Sequence, residues 1–277
     1  MATVRRVVSV AGHLLLVVAA VVAVVVATSH LAYPSLRHAL VAMVVVLSAV
    51  SLVGRFPLGL GPVGESVAAR LVRMVGTVLA GVGAVGVALG LAQGGFPSDR
   101  ASGGVRIYTV VLAVNLAAFL AVTSRESGLL PRAMLSSVGL GLLAAALFAA
   151  CVPVLPPGPI GLAILLIAAA AIGAGRLARP AESRGLAGLF AAVTACQAVF
   201  FAAAVLYRYG PDAWMPFAGP GPLTPQAQLE QNRIEAIDPY VGVLLLGAIA
   251  AGVLVGIALT AKLRTRTGAA PAAVPVT

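Results

Sequence analysis

The sequence predicts an all-α protein, a polytopic membrane bundle of about eight transmembrane helices with both termini in the cytoplasm. Three observations lead there. Of 277 residues, 61% are hydrophobic and only 9% charged, whereas a soluble domain carries roughly 25% charged residues to hydrate its surface. The mean hydropathy is +1.07, and the apolar residues come in runs of about 20, the length that lets a helix cross the hydrocarbon with every amide satisfied internally. All 18 prolines fall in connections, in the tail or at the ends of those runs, as expected where an interior proline costs about 3 kcal/mol.

The predicted spans are 8–28, 36–54, 69–92, 106–123, 133–152, 159–176, 185–206 and 239–261. The first follows Arg5 and Arg6 and holds His13. Its apolar run exceeds the 7–15 residues of a signal-peptide core, which favours a retained helix. The third begins with Arg70 and Arg73, the fourth holds Asn115, and the seventh holds Gln197. Residues 153–159, with four prolines, form an uncharged turn between the fifth and sixth spans.

The long connection 207–238 carries most of the polar chemistry. Asp212 to Pro222 should be irregular, with Trp214, Met215 and Phe217 resting at headgroup level. A short interfacial helix follows near 225–237, with Thr224 as N-cap, Pro225 at its first position, and Glu230 facing Arg233 three residues on. Asp238 and Pro239 repeat the cap-and-proline arrangement where the last span starts. Residues 1–266 thus read as one transmembrane domain, and 267–277 as a disordered cytoplasmic tail.

Lys and Arg total 18 against 8 Asp and Glu, a formal charge of +10. The basic residues stand in twos and threes beside apolar runs rather than along a stripe with aromatics, which excludes nucleic acid as a partner. Sorted by side, 13 of the 18 fall on the face that the positive-inside rule makes cytoplasmic. The other five are balanced by Asp99, Asp212, Glu230, Glu235 and Asp238. All five tyrosines and Trp214 lie at that second face, as an aromatic belt would. The expected setting is the inner, cytoplasmic membrane, with anionic headgroups against the arginine-rich face.

Chemistry inside the bilayer is sparse. No Asp or Glu falls in the middle of a span, which argues against a carboxylate proton relay. The candidate binding residues are His13, Asn115 and Gln197, for which interhelical hydrogen bonding is the default reading. Arg70 and Arg73, three apart on one helix end, suit snorkelling to phosphates or an anionic clamp. Cys151 and Cys196 read as small packing residues. No catalytic, metal-site or cofactor motif is present. Small-residue spacings, Gly86-x-x-x-Gly90 and Gly252-x-x-x-Gly256, allow close helix approach within the chain or with a partner. Two functions stay open: binding or translocating a small apolar or amphipathic molecule, or serving as a non-catalytic subunit or scaffold docked on another membrane protein.

Overall fold

The computed structural model describes residues 18–26, 29, 33–53, 63–93, 99–125, 127, 129–155, 159–214 and 225–267. Their helices are α1 (18–26), α2 (Pro34–Val53), α3 (Val67–Gln93), α4 (Asp99–Val122), α5 (Pro131–Cys151), α6 (Ile160–Leu177), α7 (Arg184–Tyr209), α8 (Pro225–Glu235) and α9 (Asp238–Thr267). Seven helices among the described residues are long and apolar enough to cross a membrane, so the chain is a multi-pass membrane protein. They match seven predicted spans. Of the first, 18–26 is helical, whereas residues 8–17, His13 among them, lie outside the described residues. So do Thr224, Met215, Phe217 and the tail from 268 onward.

Two helices outrun their apolar cores. α4 starts at Asp99, seven residues before the predicted span, because Ala101 and Val105 pack against a cluster that includes Leu36 and Leu40 of α2. α9 continues to Thr267 through Lys and Arg, which are good helix formers whether or not they face lipid.

Five helices close a ring in which each packs on the next, in the order α3, α4, α9, α7, α5 and back to α3. α2 lies outside the ring against α4, and α6 lies outside against α5 and α7. The ring is tightest around α7, where small residues let backbones approach. A Cβ on Gly141 of α5 would stand 2.7 Å from Thr194 Cβ and 2.9 Å from the Ala195 backbone nitrogen. A Cβ on Gly247 of α9 would stand 2.7 Å from Cys196 Cβ. On α3, Gly76 lies under the Phe119 ring, and a Cβ on Gly83 would stand 2.8 Å from Phe201.

Besides the cluster around Leu36 and Leu40, the buried interior has two main parts, one at each end of α7. Phe119, Val138, Phe190, Val193, Ala251 and Leu254 belong to the part on the arginine-rich side. Phe148, Val199, Phe200, Tyr207, Tyr240 and Leu244 belong to the other. The tyrosine belt is therefore divided. Tyr33 and Tyr209 are exposed, but Tyr207 and Tyr240 are fully buried. Their hydroxyls meet at 3.4 Å, and Phe148 packs edge-on to Tyr240 at 5.3 Å. These two rings join α7 to α9 instead of anchoring in headgroups. Both cysteines are free thiols, and Cys196 serves the packing role expected of it.

The α5–α7 contact is testable by a pair of substitutions two residues apart. Gly141→Ala forces its methyl into α7 backbone and should lower unfolding stability in detergent by about 1–3 kcal/mol. Gly139→Ala meets nothing within 4 Å and should be neutral or stabilising by up to about 1 kcal/mol.

Candidate functional site

Asn115 and Gln197 lie between the same two aromatic contacts of the ring. On α4, Tyr108, Leu112, Asn115 and Phe119 recur at helical spacing on one face, and on α7 Phe190, Val193, Gln197 and Phe200 do the same. Ring contacts set the register: Phe119 packs on Phe190 at 4.9 Å, and Tyr108 on Phe200 at 5.9 Å. Asn115 is seven residues from Tyr108 and Gln197 three from Phe200, so the two amides are offset by about 6 Å along the axis. Both occupy the layer between the aromatic pairs, at the seam between the two buried clusters.

They are sealed there. Asn115 is 0% and Gln197 1% exposed, and Asn115 Oδ1, Asn115 Nδ2 and Gln197 Oε1 have no hydrogen-bond partner. Elsewhere hydroxyls satisfy themselves locally: Thr194 donates to Phe190 O at 3.0 Å and Thr77 to Arg73 O at 3.0 Å. Ser137 also reaches another helix, donating to Ala187 O at 2.9 Å. It is thus an interhelical bond of the sort expected of intramembrane polar residues.

The structure splits Arg70 from Arg73. Arg70 is exposed. Arg73, one turn on, leans toward α4 and donates from Nε to Thr123 Oγ1 at 2.9 Å and from Nη2 to Leu120 O at 3.1 Å. It caps the C-terminal end of α4, where carbonyls lack partners and a cation is favoured. Gly64 N donating to Thr123 O at 2.9 Å and the Glu65–Arg125 ion pair at 2.8 Å close the same corner. The two arginines thus differ in setting, Arg73 bonded within the bundle and Arg70 exposed.

Connection 207–238 holds a second such cap and requires a correction. Glu230 does not pair with Arg233, despite the favourable spacing. Glu230 accepts from Arg208 at 2.6 Å, while Arg233 pairs with Asp212 and donates to Tyr207 O at 3.0 Å, Arg208 O at 2.9 Å and Gly210 O at 3.2 Å. The orphan carbonyls at the end of α7 attract the guanidinium more strongly than one carboxylate on its own helix does. α8 is thereby tied across the end of α7, and Trp214 packs against Gly210.

A further feature had no signal in the sequence. Between α6, α7 and α9 lies an apolar groove of about 270 Å³. Ile164 and Ile167 form one wall, Val243 and Leu246 the other, and Ala192 and Cys196 the floor. α6 and α9 are each held on α7 and scarcely touch one another. Alanines, including Ala171 and Ala250, keep the cleft open where larger side chains would fill it. Neither amide lines it. Among the described residues no cluster of His, Cys, Asp or Glu is suited to a metal ion.

The chain matches no protein-family model, no curated protein and no solved structure.

Two tests bear on these arrangements. Because both amides are buried without partners, Asn115→Leu or Gln197→Leu removes an unmet polar group and should be neutral or stabilising by up to about 1–3 kcal/mol, and in a shared layer the double substitution should depart from the two singles summed. Unfolding in detergent measures this, and strict additivity would show that the amides do not share a layer. By the same assay Arg73→Gln should cost about 1.5–3 kcal/mol through loss of the α4 cap, with Arg70→Gln within about 0.5 kcal/mol of wild type.

Proposed function

We propose that this protein binds a lipid-like amphipathic molecule, holding its apolar chain in the groove between α6, α7 and α9. The groove carries this reading. It is wholly apolar in its lining, faces the side of the bundle, and is long enough along α6 to run from Ile164 to Ala171. Bulk lipid is as apolar as the groove, so the hydrophobic effect adds little here. Binding rests on close contact with a fixed cleft and on whatever recognises the polar end of the molecule.

Binding is favoured over translocation. The intramembrane amides suited to a transport path, Asn115 and Gln197, are enclosed between the Tyr108–Phe200 and Phe119–Phe190 pairs. The charge distribution supports an orientation with the arginine-rich face in the cytoplasm, in a cell's inner membrane.

A second reading, docking on a partner helix, has its own observation. At Gly86, Gly90, Gly252 and Gly256 a Cβ would meet nothing within 4 Å, so both small-residue motifs are unused by contacts among the described residues. If a partner copy uses them, Gly86→Leu with Gly252→Leu lowers the mass seen by sedimentation equilibrium in detergent. An unchanged mass removes self-association from this reading.

The groove reading is tested with a fluorescent long-chain phosphatidylcholine added to purified, delipidated protein. Ala192→Phe, which fills the floor, should abolish saturable binding while leaving the helical circular dichroism intact. Wild-type binding retained in that variant would sink the proposal. For orientation, Gln231→Cys should react with an impermeant maleimide from outside intact cells and Ser127→Cys only after permeabilisation.

A further inference from the structure

We infer that the molecule in the groove is an anionic phospholipid of the leaflet on the arginine-rich face, its phosphate held by Arg176, Arg179 and Arg184. This rests on the reading that the groove takes an apolar chain, and adds to it the headgroup.

The argument is geometric. The end of the groove nearest that face is formed by Ala171 on α6, Ala192 on α7 and Ala250 on α9. Arg176 stands five residues past Ala171 in the last turn of α6, and Arg184 eight residues before Ala192 at the start of α7. At 1.5 Å per residue these are about 8 Å and about 12 Å beyond the groove. Half the hydrocarbon is about 15 Å thick, so a chain lying in the groove near the midplane leads to a headgroup at the level of these arginines. Arg179 lies in the connection between them.

The chemistry agrees with the placement. All three arginines are exposed, whereas Arg73, Arg208 and Arg233 are directed to carbonyls, a hydroxyl and carboxylates of the protein. Arg176 adds its charge at the C-terminal end of α6. Glu182 is the one carboxylate in the 178–183 connection, leaving a local excess of two positive charges. Guanidinium groups bind phosphate through paired N–H donors.

The test uses full-length protein in nanodiscs containing trace photoactivatable phosphatidylglycerol or phosphatidylcholine, each with a diazirine in its acyl chain, and maps labelled peptides by mass spectrometry. Phosphatidylglycerol should label the α6 and α9 groove peptides in preference to phosphatidylcholine. Each Arg→Gln at 176, 179 or 184 should reduce that preference about fivefold, with phosphatidylcholine labelling unchanged. The triple Arg→Lys variant, which keeps the charges but not the paired donors, should retain part of the preference and so guards against loss through misfolding, and Arg132→Gln on α5 leaves it intact. Equal labelling by both lipids, or equal loss from Arg132→Gln, overturns the headgroup assignment while the groove stands. If neither lipid labels the groove, or Ala192→Phe leaves the labelling as it was, the groove reading falls and the inference with it.

Discussion

Close backbone approach to α7 is the constraint on which the rest of this bundle depends. In lipid a helix gains little by burying leucines against its neighbour, and association has to come from packing distance and hydrogen bonds. Gly141 under Thr194 and Gly247 under Cys196 supply that distance on two sides of α7. With α5 and α9 drawn in, the ring closes through α3 and α4, and aromatic side chains from α4 and α7 fill its middle. The groove is the geometric remainder. α6 packs on α5 and α7, and α9 on α4 and α7, and what separates α6 from α9 is set by the alanines between.

The polar chemistry is pushed to the ends, where water and headgroups are within reach. There it does a repeated job. Arg73 and Arg233 each come from a different helix to cap the C-terminal carbonyls of a span, α4 and α7 respectively. A helix end near the low-dielectric region gains more from such a cap than an exposed one does, because its unpaired carbonyls are costly. Among the described groups without such work are Arg176, Arg179 and Arg184 at the face and Asn115 and Gln197 within, and there a ligand or a structural partner has physical reason to be.

Much of the architecture was legible in the sequence. Apolar length, proline placement and paired breakers located the spans, and the Thr-Pro and Asp-Pro steps anticipated α8 and the start of α9 near Asp238. These are local signals, set by backbone hydrogen bonding and by φ restriction at proline. Tertiary choices were not legible. Glu230 and Arg233 sit at pairing distance on one helix, yet each has a stronger partner on or near the end of α7. Tyr207 and Tyr240 are of the type that marks an interface, yet they turn inward to meet each other. Arg70 and Arg73 look equivalent by spacing, and about 60° of helix rotation separates one facing solvent from one facing α4. The groove had no sequence signature because alanine in a membrane helix is equally at home in a tight contact and beside a cleft.

The account stands or falls on whether a chain occupies the space between α6 and α9. Native mass spectrometry of protein released from detergent, without added lipid, tests that most directly. The account predicts one retained phospholipid per wild-type chain, lost in Ala192→Phe and kept in Gly139→Ala. Retention of no lipid by the wild type, or the same lipid count in the groove-filled variant, would contradict it.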